Sequence, residues 1–340
     1  MTADLVLDVQ GLAVEYGTDR PARAVDDISF RLHRGEILGV AGESGSGKST
    51  LMTAVTRLDR PPARVVSGSV RYHPRDGAPV DLLSAPPGQL RELRWDRLAV
   101  VFQSAMTALN PVMRVGAQFV DVLRTHQRMN RKEAWKRAAE LLELVGIPGD
   151  RARNYPHEFS GGMRQRAAIA LALACDPEII VMDEPTTAVD VVMQRQILAQ
   201  LQELQARFGF AIVFITHDLA LLVELADRIM IMYSGRVVET GTASALYRAP
   251  QHPYTLGLRD SSPTLRGPRR EVRAIGGSAP DLWDLPAGCA FHPRCPQRTA
   301  GCDTTRPPLL VRDGHGTACL LAQPAAARPA TTPNGTEEGA

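Results

Sequence analysis

Short apolar runs typical of β-strands occupy the first part of the chain. Between residues 5 and 40 these runs are Leu5–Val9, Leu12–Tyr16, Ile28–Leu32 and Ile37–Val40. The fourth run enters a glycine-rich turn directly, which is the pattern of a buried central strand. Another strand is predicted at Ser69–Tyr72, whereas residues 74–88 are rich in proline, glycine and aspartate and predict a loop.

A helical pattern replaces the strands from about residue 111 to 160. Asn130 is a predicted N-cap with Glu133 three residues later, and Gly146 stands where a helix C-terminus is expected. The apolar positions between them recur at helical spacing and are Ala134, Ala138, Leu141, Leu142 and Val145.

Strands and helices then alternate along the chain. The predicted strands are Ile179–Met182, Ile212–Ile215 and Ile229–Met232, and the predicted helices are Arg164–Ala174 and Val192–Arg207. This alternation predicts an α/β fold around a largely parallel sheet. After about residue 250 proline, glycine, arginine and cysteine become more frequent, which predicts a loop-rich second unit, and residues 322–340 predict a disordered tail.

Composition and charge narrow the classes of function. The 340 residues carry a formal net charge of +2 and are 44% hydrophobic, so the chain has material for a sizeable core and no excess of basic residues for nucleic acid. No run of 18 apolar residues is present, and the first residues lack the pattern of a secretory signal. We therefore expect a cytoplasmic protein that reaches a membrane only through a partner.

The turn after the fourth strand carries the strongest chemical signal. Residues 42–49 read GESGSGKS and fit the phosphate-binding pattern G-x-x-x-x-G-K-[ST], placed between a predicted strand and a helix-compatible run. Successive backbone N–H groups in such a loop bind an anion at a helix N-terminus. Lys48 is expected on the β- and γ-phosphates and Ser49 on Mg²⁺. The predicted nucleotide-binding residues of this loop are Gly42, Ser44, Gly45, Gly47, Lys48, Ser49 and Thr50.

Polar residues follow three further apolar runs. Asp183 and Glu184 end the strand predicted at Ile179–Met182; the first is expected to hold Mg²⁺ and the second to polarise the attacking water. Gln103 is a candidate ligand of Mg²⁺ or of that water, and His217 a candidate contact of the γ-phosphate. For Gln103 and His217 taken singly, an ordinary structural role is as good an interpretation.

The segment Phe159–Arg166, FSGGMRQR, resembles the signature motif of ATP-binding-cassette (ABC) ATPases. The order of phosphate loop, Gln103, signature, Asp183–Glu184 and His217 is also that of the family. Residues 188–190 resemble its D-loop, and Tyr16 resembles its adenine-stacking aromatic residue. The resemblance covers roughly residues 5–260.

This resemblance implies a fold with three subdomains and a nucleotide site shared between two chains. The expected ATPase domain, residues 5–255, has a β-rich subdomain, a RecA-like parallel core and a helical subdomain at about residues 104–165. Ser160, Gly161 and Gly162 are expected to contact ATP held by a second ATPase subunit, so that two chains close around each nucleotide.

The C-terminal part resembles the oligopeptide/dipeptide branch of importer ATPases. The residues that carry this resemblance are QHPYT at 251–255, GCAFHPRCP at 288–296 and GHGTAC at 314–319. The resemblance implies an extension over residues 256–321 and import of peptides, or of nickel or another small solute. It also implies a second ATPase, with a heterodimer favoured, two transmembrane permeases, an extracellular substrate-binding protein and a place on the cytoplasmic face of the membrane. Ser104–Met113 and the following helices are expected to meet the permeases.

Four cysteines crowd the last part of the chain at Cys289, Cys295, Cys302 and Cys319. Thiolate-rich sets suit Zn²⁺ or an iron–sulfur cluster, and no C-x₂-C pair is present to indicate a common zinc ribbon. The resemblance implies that these four residues hold a [4Fe–4S] cluster that staples the extension; zinc, no metal, and ligation by His292 or His315 remain alternatives.

Two other functions compete with import. A soluble cassette ATPase acting on nucleic acid or ribosomes is disfavoured by the single cassette, the lack of a coiled-coil insertion and the small net charge. A regulatory cassette that does not hydrolyse ATP is disfavoured because Glu184 and His217 are both present.

Overall fold

The chain folds around two β-sheets that face each other. A computed structural model describes residues 4–103, 109–186, 190–261 and 274–322. Residues 104–108 of the expected permease-facing segment, 188–189 of the expected D-loop and 323–340 of the expected tail lie outside the described residues.

The first sheet has four antiparallel strands in the order β2-β1-β4-β5. These are β1 Leu5–Tyr16, β2 Ala22–His33, β4 Ala63–Tyr72 and β5 Val80–Asp81. The two runs predicted at residues 5–9 and 12–16 form one strand, because shifts in register around Gly11, which has a positive φ of 56°, carry the pairing past the polar break. The loop predicted at 74–88 contains β5, and its last residues begin a helix.

The second sheet has eight strands in the order β11-β12-β10-β9-β3-β8-β7-β6. Its parallel strands are β3 Ile37–Ala41, β6 Leu98–Val101, β7 Ile179–Asp183, β8 Ala211–Thr216 and β9 Arg228–Tyr233. Three antiparallel strands extend it, namely β10 Arg236–Thr242, β11 Leu310–Arg312 and β12 His315–Thr317. The α/β prediction is confirmed.

The helices contribute to both cores that flank the second sheet, most of them to the core on the side away from the antiparallel sheet. They are α1 Lys48–Val55, α2 Pro87–Leu93, α3 Val115–His126, α4 Arg131–Leu144, α5 Gly161–Ala172, α6 Val191–Phe208, α7 Leu219–Leu225, α8 Ala243–Arg248 and α9 Pro253–Ser261. The predicted cap of α4 is confirmed: the Asn130 side chain accepts from the Glu133 N–H at 3.0 Å, and Gly146 has a positive φ of 69° just past the helix end.

The central strands are buried on both faces, which explains their uninterrupted apolar sequences. On β7, Ile180 and Met182 face a core shared with the helices, while Ile179 and Val181 face a core shared with the antiparallel sheet. Such double coverage is usual for parallel sheets.

The expected C-terminal extension is joined to the rest of the chain by strand pairing and by packing. Strand β12 pairs with β10, and the side chain of Phe291 is buried in the core that contains Tyr233 and Tyr254. Helix α9 runs across residue 255, where the boundary of the ATPase domain was expected. Within the described residues no helix is long and apolar enough to cross a bilayer.

Candidate nucleotide site

The phosphate-binding pattern forms the turn between β3 and α1. Gly47 precedes the first turn of α1 with a φ of 98°, and a Cβ atom there would lie 2.0 Å from the carbonyl oxygen of Ala24. A side chain at Gly42 would meet the carbonyl of Met232 at 2.3 Å. Both positions therefore require glycine, because a side chain at either one would collide with a backbone carbonyl group.

Lys48 lies under this loop with its side chain directed back along it. Its ammonium donates to the carbonyl oxygens of Gly42 and Glu43 at 2.7 and 2.8 Å and is almost fully buried. Burial lowers the pKa of Lys48, and the nearby carboxylates of Glu184, Asp183 and Glu43 oppose that effect. The ammonium thus lies at the loop and close enough to Asp183 and Glu184 to interact electrostatically with both carboxylates.

Asp183 ends strand β7 and is also buried. Burial and the charge of Glu184 raise the pKa of Asp183, while the hydroxyl of Ser49, which donates a hydrogen bond to it, and the charge of Lys48 act in the opposite direction. A hydroxyl paired with a carboxylate is an oxygen-ligand set that suits Mg²⁺.

Glu184 is held between the two other polar candidates. Its backbone has a positive φ of 43°, and its N–H donates to the carbonyl of Ile215 at 2.8 Å. Gln103 Nε2 donates to one carboxylate oxygen at 3.0 Å, and His217 Nδ1 lies 3.1 Å from the other. The backbone turn at Glu184 separates its carboxylate from that of Asp183 and aims it at the neighbouring strand ends.

Strand order explains why these residues meet. Strands β3, β8, β7 and β6 are consecutive neighbours and parallel, so the phosphate loop, His217, the carboxylate pair and Gln103 all leave the sheet at its carboxyl edge. Ligands of open α/β sheets bind at this edge.

Tyr16 and Thr50 lie next to each other beside the phosphate loop. The hydroxyl of Tyr16, at the end of β1, is 3.2 Å from that of Thr50 in α1. Strand β1 therefore places an aromatic side chain close to the loop, where the base of a nucleotide is expected.

The signature residues form the start of α5. Ser160 accepts a hydrogen bond from the Met163 N–H at 3.2 Å and is exposed, so its cap leaves the helix N-terminus accessible. Gly162 packs against Met193, since a Cβ atom there would lie 2.8 Å from the Met193 Cγ and Sδ atoms. Asp190, the described residue of the expected D-loop, caps α6 through the same Met193 at 2.9 Å. The signature and the D-loop region are thus in direct contact.

The four C-terminal cysteines are neighbours in space. Burial raises the pKa of the Cys289 thiol to about 11, and the thiols of Cys319, Cys302 and Cys295 add to that shift. Burial and neighbouring thiols also raise the pKa of Cys295 and of Cys319. Among the described residues, no group of three or more histidine, cysteine or acidic side chains is arranged to hold a metal ion.

The two histidines considered as alternative ligands have other contacts. His292 Nδ1 lies 3.0 Å from the carbonyl oxygen of Cys289, and His315 Nε2 lies 2.7 Å from the carboxylate of Glu239. His315 therefore joins β12 to β10.

Sequence reasoning missed two residues, Tyr254 and Arg294, that contact the phosphate loop at Glu43. Glu43, inside the loop, is paired with Arg294 of the extension, and the Glu43 N–H donates to the hydroxyl of Tyr254 at 2.8 Å. The sequence shows only that an acidic side chain stands in a phosphate-binding loop, which favours a nearby positive charge but does not say which residue supplies it.

The phosphate loop, the carboxylates and the strand order define an ATP-binding cassette, a class of nucleotide-hydrolysing domain. Residues 25–187 match the family model described as ABC transporter, and residues 238–302 match that described as Oligopeptide/dipeptide transporter, C-terminal region. The chain belongs to the ABC transporter family, as an ATP-binding subunit, and it carries the C-terminal region of the oligopeptide/dipeptide branch.

Curated relatives match nearly the whole chain. A putative peptide import ATP-binding protein of Brucella abortus (strain 2308) is 42% identical over 96% of this chain and 100% of its own length. The oligopeptide transport ATP-binding protein OppD of Escherichia coli (strain K12) is 42% identical over 94% of each chain. The dipeptide transport ATP-binding protein DppD of Bacillus subtilis (strain 168) is 42% identical over 93% of this chain and 94% of its own.

A solved structure shares the fold. The ATP-binding cassette MJ0796, in a dimeric post-hydrolysis state bound to ADP and Pi, matches with a TM-score of 0.61 and 28% identity, over 70% of this chain and 98% of that chain.

Proposed function

We propose that this chain hydrolyses ATP to drive the uptake of dipeptides or oligopeptides through partner permeases. The observation that carries the proposal is the meeting of Lys48, Asp183 and Glu184 at one sheet edge in a chain that also carries the oligopeptide/dipeptide C-terminal region. The relatives named for peptide import support the cargo class.

In the proposed mechanism each group of the site has a separate task. Lys48 and the loop N–H groups bind the β- and γ-phosphates. Ser49 and Asp183 would hold Mg²⁺, which would neutralise phosphate charge. Glu184 accepts a proton from the attacking water, and Gln103 and His217 orient its carboxylate. Tyr16 stacks on the adenine.

The site is completed by a second subunit in this proposal. The N-terminus of α5, with Ser160, Gly161 and Gly162, contacts the γ-phosphate held by the partner subunit. Because the triphosphate bridges two chains, ATP closes the pair and hydrolysis releases it. A heterodimer is favoured, docked on two permeases at the cytoplasmic face and served by a substrate-binding protein outside the cell.

The decisive experiment isolates the intact transporter from membranes. Tagged chain is purified in mild detergent, co-purifying proteins are identified, and the complex is reconstituted in liposomes with a peptide library or Ni²⁺ as cargo. We expect two permeases, a second ATPase and ATP-dependent accumulation of peptides, with none in a Glu184→Gln complex. Uptake of Ni²⁺ without peptides would overturn the cargo, and recovery with ribosomes or nucleic acid would overturn transport.

We also propose that Cys289, Cys295, Cys302 and Cys319 ligate a [4Fe–4S] cluster. The thiols of Cys295, Cys302 and Cys319 lie close enough to that of Cys289 to raise its pKa, and four neighbouring thiols are the donor set such a cluster requires. The cluster would cross-link a segment with little regular structure. We expect anaerobically purified protein to contain about four iron and four sulfide per chain. The Cys175→Ala variant should keep this content and Cys295→Ala should lose it; a colourless protein loaded with zinc, or with no metal, would refute the cluster.

A further inference from the structure

The C-terminal extension reaches the phosphate loop through one arginine. Arg294 donates to both carboxylate oxygens of Glu43, with Nη1–Oε2 and Nη2–Oε1 distances of 2.6 and 2.9 Å. The Arg294 side chain is only 6% exposed, and its guanidinium also lies 3.2 Å from the hydroxyl of Tyr233. A bidentate pair in such surroundings fixes geometry as well as charge.

Three groups of Glu43 form hydrogen bonds, namely its carboxylate, its backbone N–H and its backbone carbonyl. Its carboxylate binds Arg294, its N–H donates to the hydroxyl of Tyr254, and its carbonyl accepts from the ammonium of Lys48. Tyr254 is itself fully buried against Phe291 of the extension, with ring centroids 5.3 Å apart. The conformation of the loop at Glu43 therefore depends on residues more than 200 positions away.

The charge of Glu43 is unfavourable for a triphosphate. A carboxylate within the loop repels phosphate oxygens bound to the same loop, and the repulsion grows with the number of negative charges on the nucleotide. Arg294 cancels this charge and holds the carboxylate by two hydrogen bonds. Without the arginine, the carboxylate would keep its charge and be free to turn toward the ligand.

We propose that Arg294 is a positioning residue for nucleotide binding, through which the C-terminal extension sets the affinity of the phosphate loop for the triphosphate. The proposal rests on the nucleotide site of the proposed function and is independent of the cargo. A role in fastening the extension alone would leave nucleotide discrimination unchanged.

The test compares nucleotide affinities of four full-length proteins: wild type, Arg294→Met, Glu43→Gln and the double variant. We expect Arg294→Met to weaken MgATP binding about tenfold, MgADP binding less and AMP binding least, as the loss of a charge-assisted contact near phosphate implies. Glu43→Gln should bind MgATP at least as tightly as wild type, and in the double variant it should restore most of the loss. Arg298→Met, on the exposed surface of the same segment, is the matched control and should bind as wild type.

Three results would overturn the proposal. They are unchanged MgATP affinity in folded Arg294→Met, an equal loss for all three nucleotides, and failure of Glu43→Gln to restore binding in the double variant. If Arg294→Met does not fold, Glu43→Gln alone decides, since weaker MgATP binding by that variant contradicts a repulsive role for the carboxylate. A wild-type protein that binds no nucleotide would instead refute the site itself.

Discussion

Tyr72 on β4 donates a hydrogen bond of 2.9 Å to the carboxylate of Glu178, immediately before β7. Arg34 pairs with the same carboxylate, as does Arg97 at 3.2 Å. These contacts fasten the antiparallel sheet to the strand that ends in Asp183 and Glu184. Because Glu178 is almost fully buried, its charge depends on both arginines and on the tyrosine.

Removing this carboxylate should destabilise the protein. We expect Glu178→Ala to lower the free energy of unfolding by roughly 3 kcal/mol, because it leaves the buried hydroxyl of Tyr72 without its acceptor and the mostly buried guanidinium of Arg34 without a carboxylate. The measurement is urea unfolding followed by circular dichroism. Glu224→Ala is the control: it breaks an exposed pair with Arg195 and should cost no more than about 0.5 kcal/mol. Equal losses in the two variants would contradict the assigned role.

Glu184→Gln should separate ATP binding from hydrolysis. The amide keeps the size of the side chain but cannot accept a proton from water, so we expect turnover to fall by about 10²–10⁴-fold. MgATP affinity should be unchanged, since binding depends on Lys48 and the loop. ATP turnover is measured by phosphate release in the assembled complex, with Glu203→Gln on the exposed side of α6 as control. Wild-type turnover by Glu184→Gln would remove Glu184 from the catalytic site.

Lys48→Ala should weaken nucleotide binding itself. The variant removes a buried positive charge that contacts the loop carbonyls, and loss of a charge-assisted contact to phosphate is worth about 1.5–3 kcal/mol, or roughly tenfold to a hundredfold in affinity. Equilibrium titration with a fluorescent ATP analogue measures the change. Lys136→Ala, whose side chain is 81% exposed, should bind as wild type. Full affinity in Lys48→Ala would be incompatible with the proposed phosphate contact.

Acid should destabilise the fold partly through His252. This side chain is buried next to the start of α9, and burial lowers its pKa to about 4, whereas its ordinary value is 6.5. Between these values the unfolded chain binds a proton that the folded protein does not, so stability falls as pH drops from 7 toward 4 and then levels off. The full effect is roughly 3 kcal/mol.

The His252→Asn variant isolates this contribution. Asparagine retains a side-chain acceptor for the Tyr254 N–H, which now bonds His252 Nδ1 at 3.0 Å, and it does not titrate. We expect the unfolding free energy of wild type to fall relative to that of the variant between pH 7.5 and 5. Parallel pH profiles would show that His252 contributes nothing to acid sensitivity.

Most of the nucleotide site could be predicted because its signals are local. The glycine-rich loop and Asp183–Glu184 each adjoin an apolar strand, so a few neighbouring residues suffice to place each one. Gln103 and His217 needed the strand order, which the sequence does not state; the family resemblance supplied it. The structure then brings both side chains to Glu184 at 3.0 and 3.1 Å.

The contacts of the extension could not be predicted, since they join distant parts of the chain. Nothing near Glu43 in the sequence indicates Arg294, and a segment with fading periodicity gives no sign that His315–Thr317 pairs with β10. The residues of the extension have no strong local preference for helix or strand. Their conformation depends on tertiary packing such as that of Phe291 on Tyr254.

The pairing of β12 with β10 has a practical consequence for anyone shortening this protein. A version ending after α9 would lose β12, one of the two strands that pair with β10, and would leave the wholly buried Glu239 without His315. Strand β10 would then become an exposed edge strand, to which strands of other molecules could pair. Such edge-to-edge pairing promotes aggregation. A shortened version should therefore include the antiparallel strands β11 and β12, even for experiments concerned only with ATP.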